Sequence, residues 1–179
     1  VFTLNYIPLR QSDSAPENSS VRRAMAASGG QVHLLRYSDG AGKKVYTRTA
    51  CFLIFLAIRK LWPDGTAKIS CTMGNSVYIS VQDCNGFSID SLNDQMLRYI
   101  REDFPLIRRR IPMGEAISQY RRNNQLDKAE LLQWYDSEYF DEYYYKDFSD
   151  YFFGEMLPSS GYLTVWNILP AQGGFILLY

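Results

Sequence analysis

The sequence predicts an α+β fold in which an antiparallel sheet packs on a central helix, and three observations predict it. Residues 46–62, YTRTACFLIFLAIRKLW, form an apolar stretch of helix length closed by Pro63. Residues 67–82 carry β-branched side chains on both sides of Gly74-Asn75, the signature of a hairpin. Residues 136–179 are crowded with aromatics and broken by Gly154, Pro158, Gly161, Pro170 and Gly173-Gly174, the pattern of strands and turns. Helices set among hairpins in this order give one domain of helices on an antiparallel sheet.

In chain order, residues 1–9 and 31–37 (QVHLLRY) have strand composition. The Ser- and Ala-rich connection 11–30 shows no clear periodicity and predicts an insertion or flexible segment. The Gly-rich turn 38–42 separates it from the rest of the chain, and a boundary near Gly40 divides the chain into 1–40 and 41–179. In the central helix only Arg59 and Lys60 mark a wet end. Asp90 and Ser91 predict the next helix start, with Ser91 and Asp94 spaced as a capping-box variant. Leu92, Met96, Tyr99 and Ile100 then fall on one helical face. Residues 106–111 predict a short strand ended by Pro112, and 114–122 and 127–135 two short helices.

The chain has 179 residues, 46% hydrophobic and 21% charged, which suits a compact domain with no need of a disulfide or metal staple. Disorder and collagen-like structure are excluded. Nineteen basic residues balance nineteen acidic ones, which argues against a surface that traps polyanions everywhere. The balance is uneven along the chain: eighteen basic and eleven acidic residues up to 128, one basic and eight acidic after it. The two parts attract each other. Arg108, Arg109, Arg110, Arg121 and Arg122 form either an anion-binding patch for a phosphate of a nucleotide or nucleic acid, or a solvated face opposite the acidic tail.

Cys51, Cys71 and Cys84 are odd in number, without CxxC spacing, sit in apolar or strand-like runs, and read as reduced core thiols. The longest apolar run, 50–58, spans about 14 Å as a helix against about 30 Å of bilayer hydrocarbon, so no membrane partner is expected. The first ten residues lack a basic leader and a cleavage site, which leaves the cytoplasm as the expected compartment.

Motifs for several chemistries are missing. Gly40-Ala41-Gly42-Lys43-Lys44 fails as a phosphate-binding loop, because Tyr37 stands where the first glycine belongs and Lys44 replaces the hydroxyl that would hold magnesium. The single histidine, His33, leaves no Ser-His-Asp or Cys-His system. Asp141 with Glu142, or Asp147 with Asp150, are candidates for acid-base work if held at defined separation. The plainer reading of 136–153 is strands with rings inward and carboxylates outward.

Two segments carry a family resemblance. TRTACFLIFLAIRKLWP (47–63) resembles the opening helix of the second additional domain of threonyl-tRNA synthetases, the editing domain shared with alanyl-tRNA synthetases. DYFFGEMLP (150–158) resembles that domain's later Asp, Gly and Pro framework. The resemblance implies a constellation of two histidines and a cysteine-histidine pair, each pair four residues apart, suited to zinc and hydrolysis. Here those positions are Arg48, Phe52, Phe152 and Met156, a degenerate pocket without donor chemistry. Metal binding and ester hydrolysis are therefore not expected there. The pocket either stacks a base beside the Arg48 cation or is filled by its own side chains.

The run 150–179, with KVYTRTACFLIFLAIRKLWP upstream, is similar to a sub-branch, the amino-terminal region of bacterial uridine kinase-like nucleoside kinases. Tyr46, Arg48 and Thr49, and later Gly154, Pro158, Ser159, Gly161 and Tyr162, carry that similarity. It implies a non-catalytic accessory module whose partner is its own carboxy-terminal kinase domain, beyond Tyr179. No cofactor is implied in this chain; ATP and magnesium belong to the kinase domain. Residues 1–40 then read as part of a ubiquitin-like TGS module or a linker. The alternative is an RNA- or tRNA-binding module derived from the synthetase fold, and the ligand expected is a nucleoside, a nucleotide or RNA.

Overall fold

The computed structural model describes Asn5 and Tyr6 and residues 36–123, 125–152 and 154–179. The connection 11–30 and His33 lie outside the described residues. Of the strand expected over 1–9, Asn5–Tyr6 forms β1; of that expected over 31–37, only Arg36 and Tyr37 are described, and neither is strand.

Helix α1, Gly40–Leu61, is 22 residues long and starts inside the Gly-rich segment expected to be a separating turn. The cause is tertiary. Asp39 Oδ2 accepts the Arg36 N–H at 2.7 Å, and a Cβ at Gly42 would lie 2.0 Å from the Arg36 carbonyl oxygen, so glycine lets the entering chain fold against the first turn. Trp62 N–H closes the helix on the Ile58 carbonyl at 2.7 Å, and Pro63 prevents continuation. From Thr49 to Ile58 every side chain but Phe55 is buried, while Arg59 and Lys60 are exposed. A helix buried around its circumference needs cover on every side.

Part of that cover is a five-stranded antiparallel sheet. Strands β2 (Thr66–Met73) and β3 (Ser76–Gln82) form the predicted hairpin, with Met73 opposite Ser76 and Gly74 at φ 57° in the turn. Near the end of the chain β7 (Val165–Ala171) and β8 (Gly174–Leu178) form a second hairpin, and the order is β1-β7-β8-β3-β2. Helix α2 (Ile89–Glu102) is capped by Ser88, whose Oγ accepts the Ser91 N–H at 3.3 Å, so the cap precedes the predicted Asp90-Ser91 start. Its Leu92, Met96, Tyr99 and Ile100 are buried, as their spacing predicts. One core joins α1 and α2 to Val77 and Ile79 of β3, Trp166 and Ile168 of β7, and Phe175 and Leu177 of β8.

The remaining strands, β4 (Ile107–Pro112), β5 (Tyr139–Tyr145) and β6 (Phe148–Asp150), make a second, three-stranded antiparallel sheet. Helices α3 (Met113–Arg122) and α4 (Leu126–Gln133) pack beside it around a smaller core of Ile111, Ala116, Tyr120, Ala129, Leu132 and Phe140. The α+β class with antiparallel pairing is as the sequence predicts, with strands divided between two sheets. Two expectations need correction. Of the three cysteines expected in the core only Cys51 is buried, while Cys71 is exposed on the edge strand β2 and Cys84 is partly exposed. Phe140 and Tyr143 face inward, but so does Glu142, which is 0% exposed, and Asp150 is 4% exposed. Strand register sets Glu142 opposite Arg109, so a cation meets it where alternation would place a ring. Among the described residues no helix is long and apolar enough to cross a membrane.

Candidate functional site

Arg48 and Phe52 lie one turn apart on α1 and share a face, against which segment 150–158 is laid. Phe52 is fully buried and meets the edges of Phe148, Phe152 and Tyr143, with centroids 5.5, 6.3 and 6.5 Å away. Phe152 also stacks on Phe55 at 6.3 Å, and the buried Met156 belongs to the same core. Arg48 Nη1 donates to the Glu155 carbonyl at 3.2 Å. Gly154 (φ 107°) lies so close that a Cβ there would be 2.9 Å from Arg48 Cζ. Leu157 N–H donates to Thr49 Oγ1 at 2.9 Å, and Met156 N–H donates to the Tyr143 hydroxyl at 3.0 Å. The four positions of the degenerate pocket are thus gathered around one loop, which a guanidinium, hydroxyls and rings hold to α1. A metal does not fit them: two phenyl rings and a guanidinium have no lone pair to give, and a thioether alone is a poor ligand. Among the described residues no group of three or more His, Cys, Asp and Glu side chains is placed to hold a metal ion.

The five arginines separate. On β4 they alternate, as a strand requires. Arg108 Nη2 donates to Asp141 Oδ2 at 2.5 Å and Arg108 also pairs with Glu155, while Arg110 donates to both Asp141 oxygens at 2.9 and 3.1 Å. Hydrogen bonds from Arg110 and Arg108 hold the Asp141 carboxyl down to about 2. Arg109, on the other face, donates to Glu142 Oε1 at 2.6 Å, and Gln119 Nε2 donates to Glu142 Oε2 at 3.0 Å. The strand arginines therefore meet carboxylates of the acidic tail. Arg121 and Arg122 are exposed in the last turn of α3.

Between the end of α1 and β2 on one side, and β6 and the α3–α4 link on the other, opens a cleft of about 900 Å³. Phe55, Phe148, Tyr151 and Phe152 give it aromatic walls. Arg59, Lys68, Arg122 and Lys128 bring cations, and Asp64, Asp127 and Asp150 bring carboxylates. Lys128 Nζ lies 2.6 Å from Asp150 Oδ1 and 5.7 Å from the ring centroids of both Tyr120 and Tyr151. Burial raises the Asp150 pKa, a shift that the Lys128 ammonium partly offsets. The Tyr120 hydroxyl is buried with no hydrogen-bond partner among the described residues, and burial, then Asp150 and Glu142, push its pKa up. Of the four degenerate positions only Phe152 lines the cleft, and of the five arginines only Arg122.

The sequence suggests Asp150 with Asp147 as a carboxylate pair and does not single out Lys128. The structure turns Asp150 to Lys128 and leaves Asp147 exposed in the β5–β6 turn. The usable signal was strand alternation, which sends Asp150 inward and so demands a cation there.

No protein-family model matches the chain. It is similar to threonine–tRNA ligases: that of Acetivibrio thermocellus is 26% identical over 148 residues, 80% of this chain and 23% of that protein. That of Syntrophomonas wolfei subsp. wolfei is 23% identical over 150 residues, 82% of this chain and 24% of that protein. That of Clostridium kluyveri is 26% identical over 149 residues, 81% of this chain and 23% of that protein. The chain spans about a quarter of the length of the curated relatives it matches. These relatives support a threonyl-tRNA synthetase-like domain and lend nothing to a uridine kinase parent.

Proposed function

We propose that this chain is a synthetase-derived RNA-binding module that seats a single-stranded RNA end, of the kind a tRNA presents, in the cleft between its two sheets. The observation that carries the reading is the cleft itself. Unstacked bases find Phe55, Phe148 and Phe152 as stacking walls, and the cations Arg59, Lys68 and Arg122 meet the backbone phosphates. A volume of about 900 Å³ suits a few splayed nucleotides and excludes a duplex. The similarity to threonine–tRNA ligases supports tRNA as the class of RNA. Ester hydrolysis at the Arg48, Phe52, Phe152 and Met156 positions is not part of this function, because no side chain there activates water.

The test compares an RNA hairpin bearing four unpaired 3′ nucleotides with its blunt counterpart, by fluorescence anisotropy over a salt series. The tailed hairpin is expected to bind about tenfold or more tightly. Three phosphate contacts give a slope of about −2 in log affinity against log salt. Equal binding of the two hairpins refutes the reading.

A further inference from the structure

Beside the cleft lies a smaller recess of about 240 Å³, and Arg122, Asn123 and Phe148 border both openings. A strand leaving the cleft over this shared wall enters the recess directly. There the guanidinium of Arg109 is built in place. The fully buried Glu142 holds it at 2.6 Å, its Nη2 donates to Gln119 Oε1 at 3.4 Å, and its Cζ sits 4.8 Å from the Tyr144 ring centroid. Gln119 is fixed in turn, because its Nε2 donates to Glu142 and, at 2.5 Å, to Ser149 Oγ. The Arg109 side chain is 40% exposed; Glu142 and Gln119 take its Nε and Nη2, which leaves Nη1 as the donor for the recess. Arg122 is exposed and has no carboxylate partner among the described residues.

The charge balance selects the ligand. Glu142 lies behind Arg109, Glu102 lies 3.4 Å from the Lys146 ammonium, and Asp147 stands at the rim, so these carboxylates balance the three cations around the recess. Arg122 is the cation without a carboxylate of its own among the described residues. A single unpaired guanidinium beside the remaining donor of Arg109 suits a singly charged acceptor, which is a phosphodiester more than a doubly charged terminal phosphate. Resting on the RNA-end reading above, we propose that this recess is a phosphodiester subsite, in which Arg109 and Arg122 grip one internal linkage of the RNA whose unpaired bases occupy the cleft. Arg109 supplies fixed geometry and Arg122 supplies charge.

The experiment scans the tailed hairpin with a neutral methylphosphonate at each unpaired linkage in turn, against the full chain and its Arg122→Ala and Arg109→Lys variants. Arg109→Lys keeps a cation against Glu142 and so keeps the fold, which circular dichroism checks. With the unaltered protein, one linkage is expected to lose about tenfold in affinity when neutralised, and the others much less. That position-specific loss should vanish in Arg122→Ala and shrink in Arg109→Lys. Tailed RNA that binds with no linkage standing out, or a loss that persists in Arg122→Ala, overturns the subsite and leaves the RNA-end reading in force. Failure of the unmodified tailed hairpin to bind above its blunt counterpart overturns both.

Discussion

Glu142 shows how much one side chain decides. It is fully buried on β5, where Arg109 and Gln119 meet its two oxygens. Arg109→Met strands that carboxylate and should cost about 3 kcal/mol in a urea titration, whereas Arg109→Met with Glu142→Leu should recover most of the loss. Asp141, next in the strand, works in the opposite environment, half-exposed between Arg108 and Arg110. Its folded pKa of about 2 lies below an unfolded value of about 3.9, so its contribution to stability is present above about pH 4 and is lost as pH falls toward 2. Thermal midpoints of the unaltered protein should fall more steeply across that window than those of Asp141→Asn. Asp150 carries the opposite sign, since a raised folded pKa favours the fold at low pH and loses that contribution as pH rises through it. The difference between the two proteins isolates Asp141. These pairings were half legible in the sequence. The opposite charges of the two chain parts announce attraction, but which arginine meets which carboxylate depends on the β4–β5 register, which alternation alone does not fix.

Helix α1 and the loop laid on it form the next level. The helix, its Pro63 stop and its burial were legible because an apolar stretch without polar faces has few other homes. Its early start was not, because that depends on Gly42 packing against Arg36. Likewise the inward face of α2 was readable from spacing, while its cap moved to Ser88. At the degenerate pocket the chemistry was legible in the substitutions, and the structure adds what replaced the donors: Phe52 in an aromatic cluster and Arg48 on the Glu155 carbonyl. Two variants separate these roles. Phe52→Ala empties a core site and should cost about 3–5 kcal/mol in global stability. Arg48→Met should cost about 1 kcal/mol and act locally, with faster amide exchange at Met156 and Leu157 and little change in α1 itself.

Across the whole molecule, the proposed RNA seat depends on how the two sheets meet. The cleft takes residues from 55 to 152, drawn from α1, β2, β3, α3, α4 and β6, and no local pattern announces such a convergence. Lys128 and Asp150 are paired only because the first turn of α4 is brought against β6. The resemblance read from 47–63 and 150–158 nevertheless points to the two segments that supply Phe55, Phe148 and Phe152 or their immediate neighbours. The charge of the molecule is likewise organised by the fold. The strand arginines, conspicuous in sequence, are engaged by the acidic tail, while the cations that remain for a polyanion stand around the cleft. On the proposed reading RNA enters this cleft and neither the Arg108 and Arg110 face of β4 nor the degenerate pocket. Amide hydrogen exchange of the full chain with and without the tailed hairpin tests it most directly. RNA seated in the cleft should add protection in residues 122–128 and 148–152 that exceeds any in 107–112; protection confined to 107–112, or none at all, would contradict the claim.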